Sequence, residues 1–211
     1  AYDISNLGQE HLTAGMIVSV NGVFRKSDYR SFRIRTVEGT DDYASMREAL
    51  ARRLSHLSDE AGSFAEMPDL ILLDGGRGHV SVVRGLLDEM GLSIPVFGMV
   101  KDDFHKTRAL CTDTDEISIA RDRGLFTMIY KIQEEVHRYT VRCMEQAKLR
   151  TLTTSSLTVI PGIGEVKAKK ILMAFDGLSS VKQADRAALA AVSGISQKDA
   201  DAVYAYYHPE G

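Results

Sequence analysis

Two aspartates and a histidine sit where such side chains are costly unless something compensates them. Asp3 lies within the extended segment Tyr2-Asp3-Ile4-Ser5, and Asp74 closes the apolar run Asp69-Leu70-Ile71-Leu72-Leu73-Asp74. A carboxylate inside or at the end of a buried strand loses hydration that only a counter-charge or hydrogen bonds replace. If the two strands are neighbours their carboxylates meet, and the repulsion between like charges is resolved by a divalent cation. His137, beside Glu134 and Glu135 on the last long helical segment, offers an imidazole as third ligand, and Asp42 at a helix start offers a further acid. A metal held by Asp3, Asp74 and His137 would polarise a phosphodiester and lower the pKa of a bound water that attacks in line. The oxygen-rich set suits Mg2+ or Mn2+, and the imidazole favours Mn2+. Lys101, at the end of a strand, would orient the nucleophile or balance phosphate charge. Taken singly, each residue has a plainer reading: Asp74 as a turn residue, Asp42 as a helix N-cap, His137 as a solvated or structural histidine. Only the combination points to hydrolysis.

A second pattern lies near the C-terminus. Ile160-Pro161-Gly162-Ile163-Gly164 is followed by Lys167, Lys169 and Lys170, and Val192-Ser193-Gly194-Ile195-Ser196 by Lys198, with the paired glycines 32 residues apart. A Gly-rich hairpin that opens a helix exposes backbone N–H groups which, with the helix dipole, hold a DNA phosphate without reading a base. The lysines add affinity by releasing counterions. Two copies are too few for a solenoid and suggest a paired compact unit gripping both strands across a minor groove. A helical protein-interaction unit with glycine caps is the alternative. Gly75-Gly76-Arg77-Gly78 has no Lys-Ser/Thr at nucleotide-loop spacing, so it reads as a turn and no nucleotide cofactor is expected.

The elements that must position these residues follow from periodicity. Tyr2–Ser5 is extended. Met16 to Val20 is β-branched and leads into Asn21-Gly22, a hairpin signal, and Tyr29 to Arg35 alternates with Phe32 and Ile34 on one face. Asp41-Asp42 opens a helix, 58–66 reads as a loop, and 69–74 is a central buried strand. A helix to about Gly91 and a strand from Pro95 to Val100 follow. Lys101 to Asp115 reads as irregular, and a helix runs from about Arg123 to Leu149 with Leu125, Ile129, Ile132, Val136 and Cys143 as its apolar stripe. Thr151 to Ser156 is a polar linker. The expected domains are therefore 1–150 and 157–211, with 151–156 between them. The fold class is α/β: a ribonuclease-H-like mixed sheet with flanking helices, followed by a small all-α tandem helix-hairpin-helix domain. In the ribonuclease-H arrangement a ligand from the last helix completes the site, which here would be His137.

Composition is compatible with this reading. The 211 residues are 44% hydrophobic and 26% charged, enough apolar material for a core. No apolar run spans a bilayer and no secretory signal is seen, so no membrane association is expected. Cys111 and Cys143 fit no metal spacing and read as free thiols of a cytoplasmic protein. The net charge of −3 argues against a general nucleic-acid binder, but from Ala147 onward there are 8 Lys/Arg against 6 Asp/Glu. The remainder is acidic, as a carboxylate metal site allows.

Together these motifs resemble the UvrC family of bacterial excision-repair endonucleases over nearly the whole chain. Tyr2-Asp3-Ile4-Ser5-Asn6 with Gly8-Gln9-Glu10, Asp41-Asp42-Tyr43-Ala44-Ser45-Met46, Leu72-Leu73-Asp74-Gly75-Gly76-Arg77-Gly78 and Glu134-Glu135-Val136-His137-Arg138 resemble its four nuclease motifs. Thr154-Ser155-Ser156-Leu157 and Ile160–Gly164 resemble its linker and first hairpin. The resemblance implies the C-terminal half of such a protein: a ribonuclease-H-like endonuclease that cuts 5′ of a lesion in damaged or bubble DNA handed over by the partner UvrB. It also implies catalytic roles for Asp3, Asp74 and His137, with Asp42 implicated. The family's N-terminal nuclease and UvrB-binding segment are not in this chain, which makes a fragment the expectation. Asn6 stands where many relatives have His, Ala1 where they have Cys, and Asp102-Asp103-Phe104-His105-Lys106 where a Gly-rich stretch is common. The rival expectation is a non-catalytic DNA-binding scaffold whose nuclease-like domain has lost its metal; a recombination or RNA-processing nuclease on the same fold is a third.

Overall fold

The alternation of side chains along each strand decides the architecture. In the computed structural model, which describes residues 1–5, 12–37, 39–59, 64–102, 107–175 and 177–208, the chain forms two compact units, Ala1–Glu145 and Gln146–Gly211. Asn6, Gly8, Gln9 and Glu10 of the first motif, residues 60–63 of the expected loop, and Asp103 to Lys106 lie outside the described residues.

The first unit is built on β1 (Tyr2–Ser5), β2 (Thr13–Met16), β3 (Ser19–Val20), β4 (Val23–Phe24), β5 (Arg30–Arg33), α1 (Asp42–Leu54), β6 (Ile71–Leu73), α2 (Arg77–Glu89), β7 (Val96–Lys101), β8 (Thr107–Cys111), β9 (Glu116–Ser118) and the start of α3 (Arg123–Thr158). Seven strands form one mixed sheet in the order β5-β2-β1-β6-β7-β8-β9, and β3 and β4 form a separate hairpin. β6 lies parallel to both β1 and β7, and the remaining pairs of the large sheet are antiparallel. Tyr2, Ile4, Ala14, Met16, Phe32, Ile71 and Leu73 pack with residues of α1 and α2. The alternate positions Leu72, Met99 and Leu110 pack with Ile129, Ile132 and Val136 of α3. Period-two alternation therefore splits the sheet into two faces, each covered by helices. Asp3, between Tyr2 and Ile4, and Asp74, two residues beyond Leu72, are assigned to the α3 face.

That face carries a glycine where the approach of α3 requires one. Gly15 pairs directly with Asp3. A Cβ on Gly15 would strike the Thr140 hydroxyl and lie 2.9 Å from Thr140 Cβ and 3.0 Å from its Cα, so α3 could not settle as close. Thr140 is itself fully buried, its hydroxyl bonded to Val136 O at 2.7 Å.

Four sequence expectations are corrected. Met16 to Val20 is not one strand: β2 ends at Met16, and the Asn21-Gly22 turn, with φ of 52° and 78°, joins only the short β3 and β4. Residues 107–111, expected to be irregular, form β8, with Thr107, Ala109, Leu110 and Cys111 buried and Arg108 exposed. The helix expected to stop near Leu149 continues as α3 to Thr158, so 151–156 is helical rather than a linker. No Gly or Pro interrupts 149–158, and Ser and Thr cost a helix only a few tenths of a kcal/mol each (~0.5). Within the first unit its buried stripe ends on Met144 rather than Cys143, which is half-buried.

The second unit continues from the end of α3 through α4 (Glu165–Ala174), α5 (Leu178–Gln183), α6 (Arg186–Ala190) and α7 (Gln197–Tyr207). Leu157, Ile160, Ile163, Ala168, Ile171, Val181, Leu189, Ile195, Ala200 and Val203 form its core. No helix among the described residues is long and apolar enough to cross a membrane.

Gly15→Ala is expected to destabilise the first unit by about 1–3 kcal/mol, the usual cost of overpacking. Urea denaturation checks this, and an unchanged midpoint would show that α3 does not press on β2 as described.

Candidate metal centre

The two aspartates meet because their strands are neighbours in register. Tyr2 pairs with Leu73 across the parallel β1–β6 ladder, and Asp74 N donates to Tyr2 O at 2.8 Å, which brings Asp3 and Asp74 level. Both point to the α3 face and are nearly closed to solvent, their side chains 6% and 7% exposed. His137 enters from α3 with Nδ1 3.2 Å from Asp3 Oδ2 and 3.9 Å from Asp74 Oδ2, its ring 53% exposed. One ligand atom from each of the three lies within 4.8 Å of the others, the one such group among the described residues. Around an ion with bonds of about 2.1 Å, ligand atoms stand about 3 Å apart when adjacent and about 4 Å when opposite, so the set fits a small divalent cation. The open side of the imidazole leaves room for a substrate oxygen.

Burial pushes the Asp3 carboxyl above the ordinary carboxylate range; the hydrogen bond from His137 opposes this and the Asp74 charge adds to it. The hydrogen bond to Asp3 raises His137 above the usual histidine value, against partial burial.

Two further side chains hold Asp74. Lys101 Nζ donates to Asp74 Oδ2 at 2.8 Å. Gln133 Nε2 donates to Asp74 Oδ1 at 2.8 Å and to Met99 O at 2.9 Å, while the Thr107 hydroxyl donates to Gln133 Oε1. Gln133 is absent from the sequence reading because a glutamine in a helix reads as solvent-facing; its signal is the spacing of one helical turn before His137.

Asp42 is not brought into the cluster. The N-cap of α1 is Asp41, whose Oδ1 accepts from Ala44 N at 3.0 Å, and Asp42 is the first helical residue. Asp42 acts instead on His79, a residue the sequence reading passed over. Burial lowers the His79 pKa, and Asp42, Asp74 and Asp3 pull it the other way. The His79 ring lies 4.6 Å from that of Tyr43, and a Cβ on Gly75 would come within 2.5 Å of its Nδ1. The glycine after Asp74 thus makes room for His79 as well as turning the chain.

In the second unit the two hairpins superpose their glycine geometry: Gly162 and Gly194 have φ of 89° and 84°. Their surroundings narrow the sequence-predicted set. Ile163 and Ile195 bury their side chains and donate their N–H groups to Ile160 O and Val192 O, both at 3.0 Å. Ser196 is engaged in a capping box with Asp199. Lys167 Nζ donates to both carboxylate oxygens of Asp199 at 2.8 Å and to Gly162 O at 3.1 Å, tying the first hairpin to the second. Lys167 is therefore a cross-brace as well as a partly exposed cation. Gly162, Gly164, Lys169, Lys170, Gly194 and Lys198 remain on the surface. The Lys170 ammonium lies over Gly194, and the φ of 84° is what favours glycine at this position.

Comparison with known proteins agrees with the sequence pattern. Residues 1–141 match the family described as UvrC RNAse H endonuclease domain, and residues 147–205 match the SAM-like Helix-hairpin-helix tandem. UvrABC system protein C of Thermoanaerobacter sp. (strain X514) is 42% identical over 219 residues, covering 98% of this chain and 35% of the relative. The protein of the same name from Clostridium perfringens (strain SM101 / Type A) is 38% identical over 219 residues, with 98% and 35% covered. That from Lachnospira eligens is 40% identical over 215 residues, with 99% and 35% covered. The chain spans about a third of the length of the curated relatives it matches. A solved structure of XPF from Aeropyrum pernix in complex with DNA aligns at a TM-score of 0.25 and 16% identity over 79% of this chain and 73% of that one, a likeness too weak to carry an argument.

The Lys167–Asp199 brace has a pH signature. Lys167 and Ser196 hold the Asp199 carboxyl down to about 2, below its ordinary 3.8. Its stabilisation is present in full above the ordinary value and is lost as pH falls through about 2. Asp199→Asn is expected to melt below wild type at neutral pH, with the gap closing as pH falls through that window. A gap independent of pH in thermal melts would contradict the assignment.

Proposed function

The chain belongs to the UvrC family, and on that premise we propose that it is a divalent-metal-dependent endodeoxyribonuclease making the incision 5′ of a lesion in nucleotide excision repair. The observation that carries this reading is the convergence of Asp3, Asp74 and His137 on one face of the sheet, within 4.8 Å of one another. Three ligands of this kind favour a single Mg2+ or Mn2+, whose contribution when bound is to polarise the scissile phosphate and activate a water. The chain's own groups do the rest. Asp3 and Asp74 bring paired negative charge into a nearly dry site, where it binds a cation more strongly than in water. His137, exposed at the rim, stands between the carboxylates and the solvent from which a phosphodiester arrives. Lys101, held at Asp74, balances the charge of that phosphodiester.

The division of labour we propose places the nuclease site in residues 1–150 and DNA binding in 157–211. Gly162, Gly164 and Gly194 let the DNA backbone approach the hairpins, and Lys169, Lys170 and Lys198 supply salt-dependent affinity. Ile163 and Ile195 shape the hairpins from within, while Ser196 caps α7 and Lys167 braces the two hairpins from the surface. The substrate is damaged or bubble DNA, presented by UvrB to the full-length protein in the cytoplasm.

In full-length protein with UvrB and a lesion-bearing duplex, Asp3→Ala and Asp74→Ala are each expected to lower the 5′ incision rate by at least about 100-fold. Bubble-DNA affinity, carried by the hairpins, should stay within about twofold under these substitutions. Intact 5′ incision in both variants would favour a non-catalytic scaffold.

A further inference from the structure

A glutamine with no solvent exposure is an expensive occupant of a helix stripe otherwise made of Ile129, Ile132 and Val136. Gln133 is fully buried, yet each polar hydrogen of its amide and its carbonyl oxygen has a partner. One N–H goes to Asp74 Oδ1 at 2.8 Å and the other to Met99 O at 2.9 Å. The carbonyl accepts from the hydroxyl of Thr107, itself 5% exposed. Turning the amide over would set its oxygen against a carboxylate oxygen and a backbone carbonyl, both acceptors, and its NH2 against a hydroxyl. The orientation is therefore fixed from three sides, by β7, β8 and the carboxylate.

What the amide fixes in turn is Asp74. The torsion that sets a carboxylate plane has a broad, shallow potential, so an aspartate left alone samples many orientations. An N–H anchored on Oδ1 removes that freedom and leaves Oδ2 directed at Lys101 and His137: the 2.8 Å bond from Lys101 and the 3.9 Å approach of His137 Nδ1 both involve Oδ2. Gln133 and His137 are four residues apart on α3, one helical turn. The same helix face that contributes an imidazole also sets the opposing carboxylate.

We infer that Gln133 is a positioning residue of the metal centre: with Thr107 and Met99 O fixing its amide, it pre-orients Asp74 so that Oδ2 faces His137. This rests on the metal-site reading above and extends it to residues that would not touch the ion themselves. The amide lowers the freedom Asp74 loses when a cation binds, so its removal weakens cation binding even where the fold survives.

The test is isothermal titration of Mn2+ alone into this chain, with melting temperatures taken without metal. Gln133→Met keeps the length and apolar bulk and removes the anchor; Mn2+ affinity is expected to fall 10- to 100-fold. Thr107→Val keeps the shape and removes only the hydroxyl that orients the amide; a loss of about threefold is expected, between wild type and Gln133→Met. Ile129→Ala, one turn away in the same stripe, lowers the melting temperature without touching Asp74 and should bind Mn2+ within about twofold of wild type. A Gln133→Met protein that melts lower but binds Mn2+ as wild type does would reduce Gln133 to a structural role. If Gln133→Met does not fold, Thr107→Val decides: wild-type affinity there overturns the inference. A wild-type chain with no Mn2+ binding sensitive to Asp3→Ala would instead overturn the metal-site reading itself.

Discussion

Two carboxylates at the level of one rung of a parallel ladder, both turned to the same face and both nearly closed to water, are the constraint on which this molecule depends. Two such carboxylates side by side call for compensating partners, and the surrounding structure supplies them from several directions. His137 bonds Asp3, Lys101 bonds one oxygen of Asp74, and Gln133 bonds the other. Each comes from an element whose placement follows from the sheet: β7 beside β6 brings Lys101, and α3 across the face brings Gln133 and His137. Gly15 opposite Asp3 lets that helix lie close. A divalent cation would complete the compensation these groups begin.

Much of this was legible in the sequence. The period-two pattern of Tyr2-Asp3-Ile4 and Leu72-Leu73-Asp74 says which face each acid takes, and the apolar run before Asp74 marks a central strand. The parts that were not legible have identifiable causes. Gln133 makes sense only once Met99, Thr107 and Asp74 are known to surround it, because nothing local distinguishes a buried glutamine from an exposed one. Which of Asp41 and Asp42 caps α1 was not legible, because the two are adjacent and either aspartate can cap a helix. His79 was hidden behind a glycine run that already had a sufficient explanation as a turn. The Ser/Thr-rich stretch 151–156 looked like a linker by composition, yet it contains no residue that stops a helix.

The second unit shows the same contrast. The two glycine hairpins and their spacing were evident, but a lysine after a hairpin looks the same whether it meets solvent or a carboxylate. Asp199, 32 residues from Lys167, engages that lysine and turns it into a brace between the repeats. The fully exposed surface holds three glycines, which give close access to the backbone, Ser196 and three lysines. That is what contact with phosphates requires and base reading does not.

The central claim is that Asp3, Asp74 and His137 share one divalent ion. Crystals of the chain soaked in Mn2+ and measured at a wavelength where manganese scatters anomalously test it most directly. One anomalous peak is expected, within bonding distance of a carboxylate oxygen of Asp3, a carboxylate oxygen of Asp74 and a ring nitrogen of His137. No peak there at saturating Mn2+, or a peak bound by other residues alone, would contradict it.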